Sequence, residues 1–355
     1  MSKKYVHLFK NMLYYSKISP QNYTKRGIIL NTTAELVENE KIENTENDSN
    51  NNAVTSTDNT EGTKNNKKEK KKKLKDKVRR IKSISPMAKL EPYIMEHRTS
   101  CQNFIFDKIN LTQIDKYIKK KQAEGLKNFN LMHVLIAAYA RTCSQKPAIN
   151  RFVRGQRIYS RKLVSVCLTI KKEMTLESPD TVIKIYLKPD ATADDVYHTL
   201  NEKIEEYREE QTNGLDKLTK VFNIIPGFLI RWTMRFLRFL DYCSLLPPPL
   251  TRLSPFHASF FVTSMGSLGI PPVVHHLYDF GSVPAFCSFG AKQREFKVNP
   301  DGSVYKYSYV DVTYNLDDRI CDGYYYAAAL KYMRGIFKKP EILDTPPEQI
   351  IEDVK

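Results

Sequence analysis

The order of strand-like and helix-like segments along the chain is the feature that most constrains its fold. Alternating and β-branched runs predict strands, and longer amphipathic or apolar runs predict helices. The two kinds of segment are mixed without a strict strand–helix–strand rhythm, and several strands are joined by short turns. This order predicts an α/β two-layer sandwich, in which a mixed sheet carries helices on one face. The predicted strands are Gln102–Leu111, Ile149–Val153, Arg157–Tyr159, Leu163–Lys171, Val182–Leu187, Ala258–Thr263, Ala285–Ala291 and Ser303–Leu316, and the predicted helices are Thr112–Gly125, Asn128–Lys146, Thr192–Gln211 and Tyr324–Lys338.

Composition separates the chain into three regions. Residues 31–63 are rich in Asn, Thr and Glu and poor in apolar side chains, so they predict a disordered linker. Lys64–Lys82 follows as a basic run, for which a solvated tail or weak helix is the commoner fate. We therefore expect residues 1–85 to form a largely disordered leader, residues 86–345 the folded domain, and residues 346–355 a short tail.

Cysteine usage and the amino terminus bear on the cellular compartment. The chain has no Cys-x-x-Cys pair, which predicts reduced thiols and no structural zinc or other metal site. No apolar run with a small-residue cleavage site follows the basic amino terminus, so we expect a cytoplasmic protein. The six widely spaced cysteines are Cys101, Cys143, Cys167, Cys243, Cys287 and Cys321.

The most apolar stretch of the chain is Phe222–Leu246. Three arginines and one aspartate within it would each cost about 2.5–3.5 kcal/mol at the centre of a spanning helix, so we do not expect it to cross a membrane. A helix packed on the core and an interfacial membrane helix both fit, and we favour packing because core helices are far commoner. Two sets of side chains fall at i, i+4 and i+7 on separate faces: Arg231, Arg235 and Arg238, and Trp232, Phe236 and Phe239.

Three short motifs occur in order within the predicted domain. The first is Pro147–Asn150 (PAIN), followed by Gly155 and Ile158–Tyr159. The second is Thr263–Gly269 (TSMGSLG), and the third is Asp317–Gly323 (DDRICDG). In order and spacing they resemble the catalytic domain of the 2-oxo acid dehydrogenase acyltransferases, the dihydrolipoyl acyltransferases, which are relatives of chloramphenicol acetyltransferase.

The resemblance covers roughly Pro86–Pro340 and has several implications. It implies the coenzyme-A-dependent acyltransferase fold and a homotrimer. It also implies transfer of an acyl group between coenzyme A and a small thiol or hydroxyl acceptor, with acyl-CoA as substrate. Residues 1–85 are short and polar and contain no Asp-Lys-Ala lipoylation turn, so we expect no lipoyl domain and a stand-alone protein.

The third motif carries the residues that the resemblance assigns to chemistry. In the family, a histidine in the pattern Asp-His-Arg-x-x-Asp-Gly removes the proton of the acceptor, and the final aspartate is structural. Asp317, Arg319, Asp322 and Gly323 match this pattern, whereas Asp318 stands where the histidine would be.

An aspartate is a poor replacement for that histidine. A carboxylate has an ordinary pKa of about 3.9 and a thiol one of about 8.5, so the proton transfer is unfavourable by about 6 kcal/mol. Two interpretations stay open. The chain is an acyltransferase with an altered site at Asp318, or it is a catalytically silent homologue that binds acyl-CoA or acts as a scaffold.

Other side chains could restore part of the site. Thr263 or Ser264 retains the hydroxyl that stabilises the oxyanion in the family. His275 and His276 could supply an imidazole, although paired histidines on a loop are more often merely polar. Cys321 could be a nucleophile, although a buried structural cysteine is much commoner.

Four further residues have structural interpretations. Asp322 with Gly323 is expected to cap the last helix, and Arg98 is the candidate partner of Asp322. His133 lies in an apolar helix and is interpreted as a satisfied core histidine.

A different class of function would use the basic segments. Lys64–Lys82, assisted by Phe222–Leu246, would bind an anionic membrane or nucleic acid. The chain carries a formal net charge of +16, of which +9 lies on residues 1–82, outside the domain with the motifs. No aromatic residue interleaves the basic run, so nucleic acid is not expected as a partner. Peripheral contact with an anionic membrane stays open.

Overall fold

The computed structural model describes a folded domain. It covers residues 76, 78–171, 180–209 and 225–355. The predicted disordered linker 31–63 and most of the basic run lie outside the described residues. The strands are β1 (Val78–Arg80), β2 (Gln102–Asn110), β3 (Arg151–Arg154), β4 (Arg157–Arg161), β5 (Val164–Lys171), β6 (Asp180–Leu187), β7 (Phe260–Ser264), β8 (Ala285–Phe289), β9 (Gln293–Val298) and β10 (Val304–Asp317). The helices are α1 (Pro86–Ile94), α2 (Thr112–Ala123), α3 (Leu131–Gln145), α4 (Ala193–Glu209), α5 (Gly227–Tyr242), α6 (Pro248–Leu253) and α7 (Gly323–Lys338).

The main sheet has seven strands and is mixed. Its order is β2–β10–β8–β7–β5–β6, and β9 pairs with the first half of β10. β7 runs parallel to β5 and to β8, and the other pairs are antiparallel. β1, β4 and β3 form a separate three-stranded sheet. The mixed sheet predicted from the sequence is confirmed.

Helices α2, α3, α4 and α7 pack on one face of this sheet, which confirms the two-layer architecture. α3 is central: it contacts α4, α7 and β5 and is buried along most of its length, as predicted. The opposite face of the sheet carries a smaller apolar cluster that includes Phe261, Phe286 and Leu277. We call these the helix face and the outer face of the sheet.

Segments on both sides of residues 86–345 bond to the rest of the described chain. β1 pairs with β4, and the backbone N–H groups of Lys82 and Ser83 donate to the carbonyl of Lys355 at 3.3 and 2.7 Å. Arg151 donates from Nε to the nearly buried carboxylate of Asp353 at 2.9 Å. The carboxyl-terminal residues are therefore part of the domain, because they bond to the segment after β1 and to β3.

Helix α5 lies against the domain, but its aromatic face points outward. Trp232, Phe236 and Phe239 are 65%, 60% and 59% exposed. The helix lies against the domain with another face, on which Leu237 is half-buried and Asp241 is buried. The aromatic side chains point elsewhere because they lie on a different arc of the helix. No helix in the part of the chain that the structure describes is long and apolar enough to cross a membrane.

Candidate functional site

The third motif begins with a carboxylate that is completely buried at the end of β10. Arg319 donates from Nε and Nη2 to the two oxygens of Asp317, each at 2.8 Å. Arg98 donates from Nε to the same carboxylate at 3.1 Å. Both guanidinium groups are themselves almost fully buried. We call these three side chains the Asp317 cluster.

The remaining N–H groups of the two arginines reach backbone carbonyls in other segments. Each of these contacts satisfies a donor that burial would otherwise leave unpaired. The Asp317 cluster thereby joins β10 to the loop before β8, to β3 and to the segment before β2. Arg98 donates to the carbonyls of Val153, Tyr278 and Gly281, and Arg319 donates to those of Met95 and Glu96.

The partner predicted for Arg98 is wrong. Arg98 contacts Asp317 and not Asp322, because the carboxylate of Asp322 is engaged at the start of α7. There its Oδ1 accepts the backbone N–H of Tyr325 at 2.8 Å, so Asp322 is the helix cap that the sequence predicted, and Gly323 is the first residue of the helix.

Burial alone would raise the pKa of Asp317, but the hydrogen bonds and charges of Arg319 and Arg98 outweigh it and lower that pKa.

Asp317→Asn tests the Asp317 cluster. The substitution leaves two buried arginine side chains without their counter-charge. We therefore expect the free energy of unfolding, measured by denaturation in guanidinium chloride at neutral pH, to fall by about 3–5 kcal/mol. Asp322→Asn makes the same carboxyl-to-amide change at an exposed helix cap. Asn caps helices as well as Asp does, so this control should change stability by less than about 0.5 kcal/mol. Equal effects of the two substitutions would contradict the assignment.

The pH dependence supplies a second measure of the same prediction. Because the folded-state pKa of Asp317 is lowered, its contribution is present above the ordinary carboxyl pKa and is lost as the pH falls through the folded-state value. The difference in the free energy of unfolding between wild type and Asp317→Asn should therefore become smaller below about pH 4.

Asp318 projects from the end of β10 beside the Asp317 cluster. Its half-buried carboxylate accepts a hydrogen bond from Nδ2 of Asn103 at 2.5 Å. Glu91 of α1 lies nearby: burial, together with the negative charges of Asp318 and Asp322, raises the pKa of Glu91. The position of the family histidine thus lies among carboxylates. Sequence patterns did not identify Glu91 because it stands on a short helix far from the motif in sequence.

The second motif places one hydroxyl against a cavity. Ser264 is the last residue of β7, and its Oγ accepts the backbone N–H of Gly266 at 3.3 Å. Ser264 lines a cavity of about 1170 Å³ on the helix face of the sheet, between β7, α3 and α4. Thr263 pairs with Ser288 and does not line this cavity, because successive strand residues point to opposite faces. The two hydroxyls left open by the sequence therefore lie in different surroundings.

His133 lies on the wall of the same cavity. Its Nδ1 is 3.1 Å from the backbone nitrogen of Asn130 and 3.0 Å from Oδ1 of the same residue, so it accepts from the first or donates to the second according to the tautomer. Burial lowers the pKa of the imidazole to about 4, so the ring is neutral, although a hydrogen bond with the side chain of Asn201 opposes this shift in part. His133 is thus a buried, neutral imidazole with polar neighbours.

The other candidates do not reach this cavity. Neither His275 nor His276 lines it, and the ring of His275 stacks on Phe286 with centroids 4.0 Å apart, on the outer face of the sheet. Burial lowers the pKa of His275. Burial also raises the pKa of the Cys321 thiol to about 12, which disfavours a thiolate nucleophile.

One chain does not bring the second and third motifs together. Ser264 is in register with Phe289, and Phe289 with Val312 on β10. Asp318 follows Val312 further along β10, so it lies about 20 Å from Ser264 at a rise of about 3.3 Å per residue. The hydroxyl and the motif carboxylate therefore stand at opposite ends of the sheet.

No protein-family model and no curated protein matches the chain. Among solved structures it is similar to a probable dihydrolipoamide acetyltransferase of Listeria monocytogenes, with 13% identity and a TM-score of 0.46 over 72% of this chain and 93% of the other. A dihydrolipoamide acetyltransferase of Azotobacter vinelandii has 13% identity and a TM-score of 0.43 over 72% and 88%. A chloramphenicol acetyltransferase has 9% identity and a TM-score of 0.46 over 74% and 100%. These belong to the groups that the three motifs resemble.

Proposed function

We propose that the protein binds an acyl-CoA-type thioester in the cavity beside Ser264 and transfers its acyl group to a thiol or hydroxyl. The observation that supports this most is the hydroxyl of Ser264, which already accepts an N–H from Gly266 and faces the cavity. Its own proton is then available for an oxyanion. When the acceptor attacks the thioester carbonyl, the tetrahedral oxygen would accept that O–H, and coenzyme A would leave as a thiol with the acceptor's proton.

The lining of the cavity supports the same ligand class. The wall combines apolar side chains with the neutral imidazole of His133, and Arg208 supplies a positive charge suited to phosphate groups beside the carboxylates of Glu202 and Glu205. A volume of about 1170 Å³ is ample for a long, partly apolar ligand.

We propose that the functional unit is a homotrimer. Because Asp318 lies at the far end of the sheet from Ser264, the two motifs could share one site only between copies of the chain. The edge strand β2 supports self-association: Phe104 and Phe106 are 45% and 68% exposed on the outer face. Exposed aromatic side chains on an edge strand favour contact with another chain.

Ser264→Ala tests the oxyanion role. Removal of one oxyanion donor typically lowers kcat by about 10²–10³-fold, and we expect this loss with acetyl-CoA and dihydrolipoamide as substrates. Thr263→Val is the matched control, because that hydroxyl does not line the cavity. Its activity should stay within about threefold of wild type. Equal losses in the two variants would contradict the assignment to Ser264.

One observation favours a second candidate function, a catalytically silent acyl-CoA-binding or scaffolding protein. The motif position of the general base holds Asp318, whose carboxylate is occupied by Asn103. Such a protein would bind the thioester without turning it over.

Asp318→His distinguishes the two functions. A positioned imidazole base contributes about 10²–10⁴-fold, so a gain of that order in acyl transfer is expected if the native site is a disabled copy of the family site. Loss of an existing activity would instead identify Asp318 as functional. Calorimetry with acetyl-CoA, in wild type and variant, checks that binding is retained. Absence of both binding and turnover would refute the acyltransferase and the acyl-CoA-binding protein.

Phe106→Lys tests the oligomer. A lysine in place of an exposed aromatic side chain on β2 should shift the mass in solution from trimer towards monomer in sedimentation equilibrium. Phe296→Lys is the control, since Phe296 is similarly exposed, at 66%, but lies on β9. A monomeric wild type would contradict the proposed trimer.

A further inference from the structure

Helix α5 carries an aromatic face that no described residue covers. Phe228 and Trp232 are each 65% exposed, and Phe236 and Phe239 are 60% and 59% exposed. In a helix of 3.6 residues per turn these four side chains share an arc of about 80°. Contiguous exposed aromatic side chains mark a contact surface rather than ordinary solvent-facing surface. We call them the α5 aromatic arc.

Three cations lie beside the α5 aromatic arc. Arg231, Arg235 and Arg238 are exposed and occupy the next arc of the same helix. The guanidinium carbon of Arg235 is 5.7 Å from the centroid of the Trp232 ring. The outward half of α5 therefore combines large apolar side chains with a row of positive charge.

The end of the helix is fastened to the domain. Asp241 is buried and lies 3.2 Å from Nε of Arg154 and 3.3 Å from Nε2 of His257. The carbonyl of Tyr242 packs against Gly155, which has a φ of +53° and where a Cβ atom would lie 2.4 Å from that oxygen. These contacts hold the helix with its aromatic arc outward.

We propose that α5 docks the protein on the surface of an anionic lipid bilayer. The helix would lie in the plane of the membrane, with its aromatic arc at the boundary between headgroups and acyl chains. The flanking arginines would contact phosphate and carboxylate headgroups. This surface is separate from the Ser264 cavity, so the proposal does not depend on the proposed enzymatic function.

Charge favours a bilayer over a second copy of the chain as the occupant. The only acidic residue in Gly227–Tyr242 is Asp241, which already faces Arg154 and His257. A symmetric contact between two copies of α5 would therefore bring arginines together without counter-charges on the helix. An anionic headgroup layer supplies opposite charge along its whole length.

The chain provides its own probe for this contact. Trp232 is the only tryptophan in the sequence, so tryptophan emission reports on α5 and not on the basic leader. With the full-length protein and vesicles of phosphatidylcholine and phosphatidylserine in equal parts, we expect a blue shift and quenching by lipids brominated in their acyl chains. The shift should be much weaker with phosphatidylcholine alone and should decline as salt is added.

Matched substitutions separate the two parts of the surface. Phe236→Ala with Phe239→Ala should lower vesicle partitioning on the order of tenfold or more, and Phe296→Ala is the control at an equally exposed aromatic side chain elsewhere. Loss of three arginines should lower vesicle partitioning on the order of 100-fold, because each basic side chain contributes roughly fivefold. The arginine variant is R231Q/R235Q/R238Q, and its charge-matched control on the β9–β10 hairpin is R294Q/K297Q/K306Q.

Two outcomes would overturn the proposal. If the protein sediments with vesicles while Trp232 emission stays unchanged, the basic leader alone binds the membrane. If the blue shift occurs without vesicles and grows with protein concentration, a second copy covers the helix. Loss of acyl transfer in Ser264→Ala leaves Trp232 emission unaffected, so failure of the proposed function and failure of docking are distinguishable.

Discussion

The arrangement of the domain depends on the ion pairs that the buried carboxylate of Asp317 makes with two arginines. A buried charge is strongly unfavourable unless it is paired and hydrogen-bonded, and here one carboxylate is matched by Arg98 and Arg319. The donors left over on these arginines bind carbonyls in separate segments, so the end of β10, the loop before β8 and the segment before β2 are positioned together. Removing the carboxylate of Asp317 would leave both buried guanidinium groups without a counter-charge.

The two ends of the sheet differ in character. The end that carries Asp318 has further carboxylates, Glu91 and Asp322, nearby. The other end opens into a cavity bounded by the hydroxyl of Ser264 and the neutral imidazole of His133. Oxyanion stabilisation needs a hydrogen-bond donor, which the hydroxyl of Ser264 could supply at the cavity. Proton removal needs a base, and the motif position at the other end holds the carboxylate of Asp318.

Local patterns predicted the fold where one face of an element is buried. Leu163–Lys171 and Val182–Leu187 alternate in hydrophobicity and form paired strands β5 and β6, and the apolar run around Val134 forms the central helix α3. β9 was missed because it is largely exposed and is held by pairing with β10. Helix α1 was missed because its apolar side chains stay exposed and mark no core-facing stripe.

The sequence by itself determined the mixed two-layer architecture, the three motifs and the aspartate in the place of the family histidine. The tertiary structure alone decided that Arg98 binds Asp317, that Ser264 rather than Thr263 faces the cavity, and that the aromatic face of α5 points outward. The physical reason is the sequence separation over which each effect acts. Hydrophobic periodicity and helix capping act within a few residues, whereas ion pairing, strand register and burial depend on segments far apart in the chain.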